Sequence, residues 1–168
     1  GYQLEQFDKF RASTKNIRTD LFLEICSICY LEYQKALKEN HCIDFQDMIN
    51  ESADIIHKRL ISRDLLDFKY IIVDEYQDIS RQRYNLIREL SQLCHAKIVA
   101  VGDDWQSIYA FSGSILPLFT RFSQEVSYAQ ELKITHTYRN AQEIIDIAGT
   151  FIQKNSNQIK KELISPCL

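Results

Sequence analysis

Two stretches of the chain run apolar without interruption, and each leads straight into acids. Tyr70-Ile71-Ile72-Val73 precedes Asp74-Glu75-Tyr76-Gln77-Asp78, and Lys97-Ile98-Val99-Ala100-Val101-Gly102 precedes Asp103-Asp104. A continuous β-branched run is the pattern of a strand buried on both faces, as in parallel sheets covered by helices. The carboxyl ends of such strands open onto the crevice where α/β proteins bind ligands, so both acid pairs are expected at one mouth. Between them Ser80 can cap a helix running to about Leu93, with Leu86, Leu90 and Leu93 as its inward stripe. This predicts a βαβ crossover that makes the two strands parallel and right-handed.

Elsewhere the pattern is helical or broken. Residues 1–18 are mixed and polar, with Phe7 and Phe10 as obvious anchors, and read as a ragged lead-in. Thr19-Asp20 can cap a long helix to about Asn40, with Phe22, Cys26, Cys29, Tyr33 and Leu37 on one face. Leu21, Leu23, Ile28 and Leu31 make its other side apolar too, so this helix is either buried among neighbours or has lost a partner domain, and any uncovered faces offer a surface for self-association. Asp44, with Asp47 in the first turn, starts a helix to about Ile61. Downstream, Gly113 breaks the pattern, residues 114–122 form a short helix interrupted by Pro117, and Glu131–Thr135 reads as a strand. Asn140 can cap a last helix, with Glu143 in capping-box position, before the polar residues 154–161 end order.

Composition narrows the classes. The hydrophobic fraction of 45% and net charge of −3 exclude a disordered tail and leave no bulk basic signal, so any nucleic-acid contact is local. No apolar run reaches the ~20 residues that span a bilayer, and the chain's start has no signal-peptide pattern, so a cytoplasmic protein is expected. Five cysteines without framework spacing read as reduced thiols. Cys26-x-x-Cys29 lacks the second pair that a four-ligand zinc site needs, and none of His41, His57, His95 or His136 is spaced to supply it.

Asp74 and Glu75 suit a nucleotide-bound Mg²⁺, which keeps several waters and takes one or two protein carboxylates beside phosphate oxygens. Beyond this chemistry, Val73-Asp74-Glu75-Tyr76-Gln77-Asp78 resembles the Walker B motif of the UvrD/Rep-type superfamily 1 DNA helicases. The segment from Val101-Gly102-Asp103-Asp104-Trp105-Gln106 through Ser107-Ile108-Tyr109-Ala110-Phe111-Ser112-Gly113-Ser114 is similar to their third motif, and Thr137-Tyr138-Arg139-Asn140 to their fourth. Trp105, Ser112 and the tail Phe151-Ile152-Gln153-Lys154-Asn155 are most similar to the helicase IV branch.

The resemblance implies an α/β chain, part of a RecA-like P-loop NTPase fold with a parallel sheet and flanking helices, preceded by a helical segment. Residues 1–43 would belong to an inserted subdomain, 44–128 to the carboxyl half of the first motor domain, and 129–168 to the start of the second. ATP and Mg²⁺ are the implied cofactors, single-stranded DNA and duplex junctions the implied partners, and 3′-to-5′ the implied polarity. By the same resemblance Asp74 carries the metal, Glu75 accepts the proton of the attacking water, and Gln106 touches the γ-phosphate. Tyr138 would stack on adenine and Arg139 would stabilise γ-phosphate charge. Phe111 corresponds to the base-stacking aromatic, with Tyr109 and Ser112 beside it on the DNA side. Ser112 stands where many relatives have Arg, and Trp105 replaces a third acid; its indole is either buried or an extra stacking surface.

The glycines stand at 1, 102, 113 and 149, and no Gly-Lys-Ser or Gly-Lys-Thr occurs, so these residues lack a P-loop. The expectation is a piece of a larger motor, inactive alone. Two other classes compete. A metal-dependent nuclease would use Asp74, Glu75, Asp103 and Asp104 on two shared ions, leaving Gln106, Tyr138 and Arg139 without work. A non-catalytic scaffold would keep the fold after losing the P-loop.

Overall fold

The computed structural model describes residues 4–126 and 128–166. They fall into two compact units divided between Leu60 and Ile61.

The first unit holds α1 (Leu4–Ser13), α2 (Ile17–Glu39) and α3 (Phe45–His57). The lead-in expected to be ragged is helical from Leu4; residues 1–3 lie outside the described ones. Arg11 of α1 pairs with Asp20 at 2.8 Å and Glu24 at 3.2 Å, and the Phe7 ring lies 5.8 Å from that of Tyr30. The cap of α2 is Asn16, not Thr19-Asp20: its side chain accepts from the Arg18 and Thr19 amides. Asp20 falls instead in the first turn, where negative charge suits the positive end of the helix dipole. No side chain of α2 is buried, and Phe22 is 65% exposed, so this apolar helix has uncovered faces. At α3 the expected capping holds, since Asp44 and Asp47 each accept the other's amide. That helix stops at His57, short of Ile61, because Arg59 adopts a left-handed φ of 55° and the Leu60 amide reaches back to the Ile55 carbonyl.

In the second unit β1 (Tyr70–Val73) and β2 (Lys97–Ala100) pair in parallel, Tyr70 beside Lys97 and Val73 beside Ala100. Between them α4 (Arg81–Cys94) is capped by Ser80 as expected and buries Tyr84, Leu93 and Cys94. The strands are not covered on both faces. Val73 and Ala100 pack against the core of the second unit and Ile71 and Ile98 are half-buried, whereas Ile72 is 72% exposed on the other face of the pair.

The core below the strand ends is built from Tyr76, Ile79, Tyr84 and Leu118, with Val73, Ala100, Ile115, Phe119 and Phe122 packed against it. Tyr76 meets the Phe122 ring edge-on at 5.4 Å, and burial, helped by Tyr84 and Glu125, pushes its phenol up to about 12. Pro117 does not interrupt a helix; it sits in the first turn of α5 (Leu116–Thr120), where its missing N–H needs no partner. A one-turn α6 (Phe122–Glu125) follows.

Three expectations fail beyond this point. Residues 131–135 form no strand: a single bridge between His136 and Ile164 is the only pairing there among the described residues. Asn140 does not cap α7 (Gln142–Ile152), which starts after Ala141 without a side-chain cap. Gln142 instead donates to Asp146 and the Leu163 carbonyl and accepts from the Ser165 amide, tying the helix start to the returning tail. The polar stretch 154–161 likewise does not end order, because it folds back over the end of β2. No described helix is long and apolar enough to cross a membrane.

Candidate functional site

Both strands end in turns that are tied together. After β1, Asp74 accepts the Glu75 amide at 2.9 Å, and Glu75 takes the left-handed conformation, φ 50° and ψ 41°. A non-glycine residue there costs on the order of 1 kcal/mol and persists only where its surroundings hold it. They do so here. The Tyr76 amide donates to the Val101 carbonyl at 2.9 Å, and Gln77 donates to the Glu75 carboxylate at 2.6 Å.

Gln77 is the hinge-pin of the site. It is 1% exposed, and while its Nε2 holds Glu75, its Oε1 accepts the Asp103 amide at 2.9 Å. One amide side chain offers a donor and an acceptor together, which neither a carboxylate nor an ammonium does. Gly102 makes room for it: a Cβ there would stand 2.5 Å from Gln77 Oε1 and 2.9 Å from the Phe119 ring. Gly102→Ala should therefore displace Gln77 and cost ~1–3 kcal/mol, the usual range for forcing atoms into a packed site. Thermal unfolding of the chain measures this, and an unchanged melting temperature would show that the turn relaxes freely.

The second acid pair does not face a shared mouth with the first. Asp104 is buried, pairs with Lys161 at 2.9 Å and accepts the Ile159 amide at 2.6 Å. Asp103 also pairs with Lys161, and accepts from the Trp105 amide at 3.1 Å and from Gln106 Nε2 at 2.8 Å. Burial alone would raise the Asp103 pKa. The bonds from Lys161, Gln106 and Trp105 outweigh it and hold this carboxyl below its ordinary value. Trp105 is half-buried: its indole donates to the Ile159 carbonyl at 3.2 Å, abuts Gly149 of α7 and lies under the Lys161 ammonium, 4.8 Å from the ring centre. Its ring serves packing.

Glu75, Gln77, Asp78, Trp105, Gln106, Ile108 and Tyr109 line an open cleft of about 540 Å³. In its wall Asp78 Oδ1 is buried without a hydrogen-bond partner. The loop beyond turns through Ala110–Ser112, closed by the Ser112 hydroxyl and amide on the Tyr109 carbonyl and by Gly113 at φ 92°. Phe111 is thereby held 86% exposed, its ring 5.9 Å from that of Tyr109. Of the residues singled out in the sequence, Glu75, Trp105, Gln106 and Tyr109 share the cleft. Asp74 is exposed at the strand end, and Tyr138 and Arg139 lie on an exposed bend outside its lining.

Two contributors escaped the sequence reading. Gln77 carried a signal, a lone amide between two acids that needs a donor and an acceptor at once. Lys161 carried none: Lys161-Glu162-Leu163-Ile164-Ser165 does not alternate apolar and polar residues, and the alternation of half-buried and exposed positions there exists only in the folded chain.

The sequence pattern described as UvrD/REP helicase N-terminal domain matches residues 2–127. DNA helicase IV of Escherichia coli is 35% identical over 164 residues, which cover 95% of this chain and 23% of that protein. ATP-dependent DNA helicase PcrA of Bacillus subtilis is 31% identical over 142 residues, 83% of this chain and 19% of the relative. For ATP-dependent DNA helicase UvrD1 of Mycobacterium tuberculosis the figures are 30% over 152 residues, 86% and 20%. The chain thus spans 23% or less of the length of these relatives. With the family pattern covering three quarters of its residues and both acid-ended strands inside the match, the chain belongs to the UvrD/REP helicase family.

Proposed function

We propose that the chain is the part of an ATP-driven DNA helicase or translocase that couples the hydrolytic water to the grip on single-stranded DNA. The observation that carries this reading is the unbroken line from Glu75 through Gln77 and Asp103 to Gln106, with the exposed Tyr109–Phe111 pair a few residues further along. In this reading the fold is RecA-like. Residues 1–43 belong to an inserted subdomain, 44–128 to the first motor domain and 129–168 to the start of the second. The apolar side chains that α2 leaves exposed are the surface through which self-association would occur. The 3′-to-5′ polarity and the binding of duplex junctions rest on family resemblance alone. The protein would work in the cytoplasm, with its thiols reduced.

The acids at the end of β1 fit a magnesium nucleotide by the chemistry of the donor set: Asp74 and Glu75 are exposed hard oxygen donors, and Asp78 lines the same cleft as Glu75. Mg²⁺ held at Asp74 would neutralise phosphate charge. Glu75, aimed by its left-handed backbone and by Gln77, accepts the proton of the attacking water. Gln106 presents its amide to the γ-phosphate. Tyr138 stacks on adenine, and Arg139 stabilises charge as the phosphoryl group leaves. Tyr109 and Phe111 stack on bases, with Ser112 holding their turn closed.

The nuclease reading loses its second carboxylate pair, since Lys161 and the Ile159 amide occupy Asp103 and Asp104. The helicase reading is tested first on the 168-residue chain by itself. Phosphoryl transfer by this class needs a Gly-rich phosphate cradle, and these residues contain no Gly-Lys-Ser or Gly-Lys-Thr. The purified chain should show no ATP turnover above background, with or without single-stranded DNA. Turnover that survives purification and disappears in Glu75→Gln would overturn the assignment of the cradle to residues beyond these.

A further inference from the structure

We propose that Lys161 is a positioning residue for Gln106. The proposal rests on the helicase reading and adds to it a lysine from beyond the fourth motif.

Lys161 is anchored rather than adventitious. Its side chain is 15% exposed, and the 1% exposed Asp104 holds its ammonium at 2.9 Å, a pair in which the carboxylate has almost no solvent to fall back on. The Trp105 ring lies beneath the ammonium, and Gln153 Nε2 donates to the Lys161 carbonyl at 3.3 Å. From this fixed point the ammonium reaches Asp103 Oδ1. The other oxygen of that carboxylate accepts from Gln106 Nε2 at 2.8 Å. Without the lysine Oδ1 would keep only the Trp105 amide at 3.1 Å; held by the ammonium as well, the carboxylate presents its other oxygen in one direction. Gln106 is exposed and has no burial of its own to fix its rotamer. Its orientation at the edge of the cleft is therefore set by a charge that comes from the chain segment after α7. The same Asp103 offers its amide to Gln77, which aims Glu75, so a shift of the 157–163 segment reaches Glu75 as well as Gln106.

The test is a double-mutant cycle on steady-state ATP hydrolysis by the full-length protein that contains this chain, with single-stranded DNA present. Lys161→Met and Gln106→Ala are measured alone and together, with Lys161→Arg beside them. Lys161→Met should lower kcat by about tenfold or more, the usual size of effect when a supporting hydrogen bond around a site is removed. Lys161→Arg keeps a cation over Trp105 and should recover most of that loss. The double variant should hydrolyse ATP no more slowly than Gln106→Ala alone, because a residue that acts through Gln106 has nothing left to position. Losses that multiply to within about twofold would mean independent action and would overturn the proposal while leaving the helicase reading intact. Should Lys161→Met unfold, Asp103→Ala takes its place in the cycle, since it cuts the link while leaving the Lys161–Asp104 pair. Additive losses there overturn the proposal in the same way. A wild-type protein that hydrolyses no ATP overturns both this proposal and the reading it rests on.

Discussion

Glu75→Gln in the full-length protein should lower ATP turnover by ~10²–10⁴-fold, the range supplied by a positioned general base, with nucleotide affinity nearly unchanged. The argument is geometric. Glu75 is exposed at the end of β1 and held in a left-handed conformation that its own side chain does not favour. Gln77 grips one of its oxygens from a buried position and is itself pinned by the Asp103 amide. A glutamine at 75 fits the same space and can turn its carbonyl to the Gln77 donor, so the variant should fold and bind as before. What it cannot do is take a proton. Asp74→Ala should behave differently, weakening binding of magnesium nucleotide itself. Single-turnover hydrolysis and calorimetric binding of a non-hydrolysable analogue separate the two. If both variants lose affinity equally and neither loses turnover selectively, the division of roles between the acids is wrong. If neither changes turnover at all, the non-catalytic scaffold is the better reading.

The parts of this site that were legible in the sequence are the ones that depend on local pattern. Apolar runs ending in acids located both strands, Ser80 and Asp44 located helix starts, and the spacing between the runs gave the parallel pairing. What was not legible depends on partners distant in sequence. Asp103 and Asp104 look like Asp74 and Glu75 in a linear reading, and only Lys161, 57 residues beyond Asp104, distinguishes the structural pair from the exposed one. The stretch 154–161 is polar enough to read as disordered, yet one buried ion pair and a backbone bond to Asp104 give it a fixed course. Residues 131–135 show the converse. Their composition suits a strand, but a strand needs a neighbour to pair with, and the described chain offers only the bridge at His136. Asn140 lost its cap role to a tertiary bond set by Gln142 for the same reason.

Phe111→Ala in the full-length protein should weaken binding of single-stranded DNA by ~1–3 kcal/mol, the usual value for one lost base stack. The ring is 86% exposed on a turn that spends three bonds and a left-handed glycine on holding its shape, which is an unusual place for a large apolar side chain with nothing to cover it. Tyr109, 5.9 Å away, gives the next surface for a neighbouring base. Within these residues the net charge is −3, so their own contribution to the grip comes from stacking rather than from bulk attraction to phosphates. Unwinding should fall further than DNA-stimulated hydrolysis, since nucleotide would still be turned over while the strand slips. Phe111→Trp keeps a stacking face and should retain most of the affinity; that comparison separates loss of the platform from damage to the turn. Binding and unwinding should be measured at one fixed salt concentration on one single strand and one tailed duplex, as phosphate contacts make affinity depend on salt. Normal unwinding by Phe111→Ala would remove Phe111 from the DNA path and leave Tyr109, on the cleft side of the same turn, as the residue to substitute next.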